Sequence, residues 1–235
     1  MQVKKNNIWK AWIATAAIIT VTTVGGLTAY FTDTQEKINH FTVGKVKIEL
    51  KEPEWEKKLD GDKNEIPDEA EHMTPLQRIT KDPQVKNTGI NDAYIFMTVE
   101  IPCREIITVN GDGMKNPQAL TPLYSYEKDA SWKYMGSYRV LNQEKKQTGI
   151  KHLYAYAEDS GKCRTVKPNE TTIPLFQNVL FVNAMEGQGL EEQPFTMNIQ
   201  AYGIQTMNLN GGTTDAQQIW QIITNQKDIA ENYQI

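Results

Sequence analysis

The chain is expected to fold as an all-β protein, a jelly-roll-like antiparallel β-sandwich with a short C-terminal helix. Two observations predict this. Short segments that alternate apolar and polar residues, bounded by Gly, Pro, Asn and Asp clusters, dominate the 235 residues, and one apolar stripe at helical spacing stands near the end. Half-buried strands must each cover one face, so two packed sheets suit a body of about 170 residues with no internal repeat and no linker.

The first segment is not part of that body. A cationic start (Lys4, Lys5, Lys10) leads through a Thr-rich apolar stretch from Ala11 to Val24 and reaches Gly25-Gly26-Leu27-Thr28-Ala29 before Tyr30-Phe31-Thr32-Asp33-Thr34. Positive flank, short apolar core and small residue follow the order of a secretory signal peptide. The apolar run is about 14 residues, short of the roughly 20 needed to span hydrocarbon, which favours a cleaved leader over a permanent anchor. Residues 1–29 are therefore read as a signal peptide, cut between Ala29 and Tyr30 because the peptidase pocket accepts a small side chain before the bond. The membrane is expected to be a partner only before that cut. Residues 30–44 form an N-terminal arm, and 45–235 the sandwich domain.

Within the domain, Val46, Ile48 and Leu50 fall on one face while Lys45, Lys47 and Glu49 fall on the other, a strand that buries one side. Ile95, Met97, Val99 and Ile101 alternate with Tyr94, Phe96, Thr98 and Glu100 in the strongest strand, expected to end at Pro102, which cannot donate to a ladder. Further strands are expected over Gln84–Lys86, Trp132–Tyr134, Leu153–Ala157, Pro174–Leu175, Val179–Val182 and Phe195–Ile204. Asn87-Thr88-Gly89 and Asp159-Ser160-Gly161 supply turn residues between them. Thr214 and Gln217 have capping-box spacing ahead of Ala216, Ile219, Trp220 and Ile223, which share one helical face with Trp220 as a core anchor.

The charge narrows the function classes. Removing residues 1–29 takes away three lysines and no acid, so the net charge moves from −4 to −7. A mildly acidic surface with no basic block argues against nucleic acid as a partner and favours an extracellular protein. The two cysteines, Cys103 and Cys163, would then meet an oxidising compartment. A bridge between them would close a loop worth roughly 4 kcal/mol in the entropy account; the other reading is a pair of unbridged thiols.

No catalytic set emerges. The three histidines, His40, His72 and His152, are far apart in sequence, so the paired-histidine helix of a zinc protease is absent, as are a Gly-x-Ser-x-Gly elbow and a phosphate-cradling glycine loop. His72 lies in an acidic stretch that reads as a solvated loop. Asp60, Asp62, Asn64, Asp68 and Glu71 fill the oxygen-ligand positions of a calcium loop. Glu65 stands where that loop needs glycine, however, and a flexible acidic connection is the competing reading. No catalytic, cofactor-binding or metal residue is assigned, and no cofactor is expected.

Several blocks carry a resemblance. Ala29-Tyr30-Phe31-Thr32-Asp33-Thr34 with Asn39-His40-Phe41-Thr42-Val43-Gly44-Lys45-Val46-Lys47-Ile48-Glu49-Leu50 resembles the start of the TasA and camelysin family, whose members are exported through a dedicated signal peptidase, SipW. The run from Met73 to Gly89, Pro174-Leu175-Phe176 with Val179, Phe181 and Asn183, and Ala201-Tyr202-Gly203-Ile204-Gln205-Thr206 with the following helix are similar in the same order. The resemblance implies a jelly-roll sandwich, a role in extracellular fibres of Gram-positive biofilms, and assembly by lending the processed N-terminal segment to a neighbour. Leu76 stands where many relatives have Gly, and the Asp60–Glu71 loop and both cysteines also depart from the family pattern.

Strand lending has its own physical basis. Edge strands of a sandwich leave unpaired amides and carbonyls, and an added strand uses main-chain bonds for affinity and alternate side chains for register. Phe31, Ile38 and Phe41 are the large apolar groups of the candidate donor strand, and Phe31 and Phe41 share parity while Ile38 does not. Head-to-tail donation does not close and so yields filaments; the alternative is an arm that packs on its own domain. The sequence thus points to a secreted, non-enzymatic fibre or matrix subunit partnered by copies of itself and, during export, by its peptidase. A camelysin-like secreted metallopeptidase and a calcium-dependent cell-surface adhesion module are the rival readings.

Overall fold

The computed structural model describes residues 32–35, 46–59, 66–191 and 193–227. All of them belong to one compact unit, Phe31–Ile235, and the other unit, Met1–Tyr30, lies outside the described residues. In chain order the strands are β1 (Thr32–Gln35), β2 (Ile48–Lys51), β3 (Arg78–Thr80), β4 (Gln84–Asn87), β5 (Ala93–Ile106), β6 (Ala119–Pro122), β7 (Tyr124–Ser125), β8 (Trp132–Leu141), β9 (Gln147–Tyr156), β10 (Asn178–Phe181) and β11 (Asn198–Gln205). Two four-residue helices, α1 (Pro53–Glu56) and α2 (Asp68–Glu71), follow β2, and α3 (Ala216–Lys227) follows β11. The architecture is an antiparallel β-sandwich with a short C-terminal helix, as the alternation predicts.

The main sheet has the order β1-β11-β5-β9-β8, with β6 pairing the far end of β5. A second layer consists of β3-β10-β7 and the pair β2-β4. Between them lies the core: Ile95, Met97, Val99 and Ile101 of β5 and Ile199 and Ala201 of β11 pack with Val46, Ile48, Ile79, Val85, Val179 and Phe176. Leu50 is only partly buried against this cluster.

β5 is buried on both faces from Ala93 to Val99, and this explains the helix. Phe96 and Tyr202 face away from the sandwich core, and α3 covers them: the Trp220 ring lies 5.4 Å from Phe96 and 5.2 Å, edge-on, from Tyr202. Ala216, Ile219, Trp220 and Ile223 are all buried, so the expected stripe and the anchor role of Trp220 both hold. The cap differs by one residue. Asp215 Oδ1 accepts from the Gln218 amide at 2.9 Å, so Asp215, not Thr214, closes the first turn. A carboxylate directly before the first helical residue is both an acceptor and a favourable charge for the helix dipole.

Four strand expectations need correction. β5 does not stop at Pro102 but runs on to Ile106. Pro102 opposite Gly149 is the last pair with β9, and from Cys103 the partner is β6. The proline sits at this hand-over, where its carbonyl accepts from the Leu123 amide at 2.9 Å, so its missing N–H costs the ladder little. Pro174–Leu175 is not a strand; Leu175 is buried in a connecting segment whose amide donates to the Pro83 carbonyl at 2.8 Å. β8 and β9 each run ten residues, well beyond the expected Trp132–Tyr134 and Leu153–Ala157.

Candidate functional site

The margin of the main sheet formed by β1 and β11 is where the arm meets the body. β11 is paired along its whole length with β5, from Asn198 opposite Glu100 to Gln205 opposite Ala93. On its other side β1 pairs antiparallel with half of it: Thr32 opposite Ile204, Asp33 opposite Gly203, Thr34 opposite Tyr202 and Gln35 opposite Ala201. Part of the arm thus lies on its own domain as an edge strand. Thr-Asp-Thr-Gln contains no large apolar residue, and its ladder with β11 ties it to the sheet. Each such bond nets about 0.5–1.5 kcal/mol, against about 1–2 kcal/mol for fixing each residue, so the ladder by itself adds little net stability.

The root of the arm is held far more firmly. Val46 and Ile48 are completely buried, each worth about 1.5–3 kcal/mol by burial. They pack against Gly203 in the middle of β11, where a Cβ would come within 2.8 Å of Ile48 Cγ2 and 3.5 Å of Val46 Cγ1. Gly203 therefore lets β2 cross β11 at close range, directly beneath the register where β1 pairs. The sequence motif Ala201-Tyr202-Gly203 contains the residue, but only the crossing reveals why it has no side chain.

The candidate cleavage residues Ala29 and Tyr30 and the candidate donor residues Phe31, Ile38 and Phe41 lie outside the described residues, as does His40. Of the calcium candidates, Asp60, Asp62 and Asn64 also lie outside them, while Asp68 and Glu71 are exposed on α2. No group of three or more His, Cys, Asp or Glu that could hold a metal gathers among the described residues, and no helix among them is long and apolar enough to cross a membrane.

The bridge between Cys103 and Cys163 is corrected: both are buried free thiols. Val166, three residues after Cys163, exchanges main-chain bonds with Ala93 at the start of β5. Cys103 lies ten residues farther along that same strand, roughly 30 Å at the rise of extended chain, far beyond the reach of a disulfide. Burial pushes the Cys163 thiol up to about 12, with the Asp215 carboxylate adding to the effect, and burial raises Cys103 as well.

The densest gathering of titratable rings sits at the β8–β9 side of the core. Tyr126 stacks on Phe176 at 4.2 Å and shares a 3.0 Å hydroxyl–hydroxyl hydrogen bond with Tyr154. His152 and Tyr134 complete the group, 5.8 Å apart. Burial raises both buried phenols, Tyr154 to about 12, and lowers His152, whose Nδ1 is buried without a hydrogen-bond partner. Burial thus favours the neutral forms of Tyr126, Tyr154 and His152, and no nucleophile or carboxylate faces this group at hydrogen-bond distance among the described contacts. It reads as core packing. In comparisons with known proteins the chain matches no family, no curated relative and no solved structure.

Proposed function

We propose that the protein is a secreted structural subunit of extracellular fibres or biofilm matrix, and that its processed N-terminal segment adds as a strand to the β11 edge of a neighbouring copy. The observation that carries this reading is the contrast within a few residues between a weakly held edge strand and a deeply buried root. β1 occupies the edge through a polar tetrapeptide, whereas Val46 and Ile48 fix the base of the arm against Gly203. Release of β1 leaves the core intact and exposes main-chain groups of β11 that favour a replacement strand. Sixteen residues, 30–45, extend to roughly 50 Å when fully drawn out, enough to reach the edge of an adjacent copy. Each subunit then both gives and receives, and the chain of contacts stays open.

Electron microscopy of the form that begins at Tyr30 tests this. Filaments are expected, and deletion of residues 30–41 should abolish them while the body stays folded. Unchanged filaments after the deletion would overturn strand donation.

A further inference from the structure

An irregularity in β8 brings an aromatic ring into line with a cation. The ladder with β9 pairs Tyr134 with Tyr154 and Gly136 with Leu153, so Met135 is an extra residue. An extra residue re-aims the side chains beside it. Without it Tyr134 would share a face with Gly136 and Tyr138; with it Tyr134 shares a face with Ser137 and Arg139. The rows across the sheet identify that face. Tyr134 lies beside Tyr154 and then Met97, Ser137 beside His152 and then Val99, and Arg139 beside Ile150 and then Ile101. Met97, Val99 and Ile101 belong to the core between the layers, so the three β8 residues lie on the inner face of the sheet.

The cover over that face ends before these three residues. Met97 is 0 % exposed and Tyr154 5 %, whereas Tyr134 is 45 % exposed, and Ser137 and Arg139 are exposed with it. The Tyr134 ring is nonetheless backed by Tyr154 and His152, whose ring centroids lie 5.5 and 5.8 Å from its own. A ring packed from behind loses little rotamer freedom when a ligand covers its front. From Tyr134 to Arg139 the strand advances roughly 13 Å, about four steps of 3.3 Å once the extra residue is discounted. Ser137 lies between the two.

Charge narrows the occupant. Residues 126–156 carry six cations against three carboxylates in a chain whose net charge is −4. Lys151 is paired with Glu100 at 2.9 Å and Lys146 with Glu144 at 3.1 Å, while among the described residues no carboxylate pairs with Arg139 or with the exposed Lys145 between β8 and β9. A guanidinium takes a carboxylate bidentately. A phenol ring offers an apolar face with a polar tip, a surface that suits the C–H face of a sugar ring. Single-stranded nucleic acid also combines stacking with charge, but it uses successive rings along a basic groove, and this row has one exposed ring and one open guanidinium. We propose that the inner face of β8, through Tyr134, Ser137 and Arg139, binds a polysaccharide that bears carboxylates and lies along the strand. Tyr134 stacks on a sugar ring, Ser137 meets hydroxyls along the way and Arg139 takes a carboxylate. The site does not use the arm, so it stands or falls apart from strand donation.

Isothermal titration of the purified protein with polygalacturonate, a polymer of a carboxylated sugar, tests the site, with neutral dextran and single-stranded DNA titrated alongside. Polygalacturonate is expected to bind, and dextran and DNA to bind at least about tenfold more weakly. Arg139→Ala should weaken binding about tenfold, as loss of a charge-assisted contact does, and Tyr134→Ala by about as much. Tyr134→Phe, which keeps the ring, should retain most of the affinity. Each variant should keep the circular-dichroism spectrum of the parent, because the replaced side chains are exposed. No binding of polygalacturonate, binding indifferent to Arg139→Ala or to Tyr134→Ala, or equal binding of dextran or DNA would overturn the proposal.

Discussion

Leu76 occupies the left-handed region at φ 61°, within a turn closed by the Gln77 amide on the Thr74 carbonyl at 3.0 Å. It is 55 % exposed, so little burial offsets the roughly 1–2 kcal/mol that an L-residue loses there. Leu76→Gly should stabilise the fold by about 0.5–1 kcal/mol after the greater chain entropy of glycine is subtracted. Thermal unfolding reads this as a raised melting temperature; a lowered one contradicts the argument. The cysteines give a second test at this scale. At pH 8 the buried, protonated thiols of the native protein should resist iodoacetamide, and unfolding without reductant should expose both to alkylation. A third concerns His152, whose affinity for protons burial lowers. The unfolded chain then binds the proton more readily, so the stabilisation is complete above the ordinary histidine value near 6.5 and is lost as pH falls through the depressed native value. Chemical denaturation across that window should show stability falling with pH, and His152→Gln should flatten the part of the slope that this residue supplies.

Elements show how local signals meet tertiary demand. α3 is amphipathic because it must cover the outer face of β5 and β11, and its first turn is fixed by Asp215. Asp215→Ala should cost about 1 kcal/mol, the usual loss for a missing N-cap, and Trp220→Ala about 3–5 kcal/mol, since it empties the space between Phe96 and Tyr202. Urea titration separates the two by size. Periodicity made β2, β5 and the helix stripe legible: Val46 and Ile48, the alternation from Tyr94 to Ile101, and Ile219-Trp220-Ile223 all fall where their spacing places them. β3, β6 and β7 escaped because they are two to four residues long and exist through partners distant in sequence. β8 mixes Lys, Tyr, Gly and Ser, and its length follows from its ladder with β9 rather than from its own pattern.

At the scale of the molecule, stability resides in the body. The body is closed by β5, whose two faces are both buried, while β1 covers half of β11 with four polar residues. Deleting residues 30–41 should therefore shift the urea midpoint of the body only slightly, by about 1 kcal/mol or less in stability. A large loss would place the arm within the cooperative core. Gly203→Ala should behave in the opposite way. It forces Ile48 or β11 to move and should cost about 1–3 kcal/mol by overpacking, although it lies at the same margin.

The amino-acid sequence by itself determined the all-β class, the strongest strand and the amphipathic helix, because alternation and helical spacing are local properties that record which face each segment buries. It also marked the arm and the acidic stretch as distinct in composition. Only the tertiary structure decided that the cysteines lie apart, that β5 continues past Pro102 by exchanging partners, and that Gly203 is the crossing point beneath β1. Each of these depends on which segments meet across long separations in the chain, and pairing at that range is set by the packing of the whole sandwich rather than by any one segment.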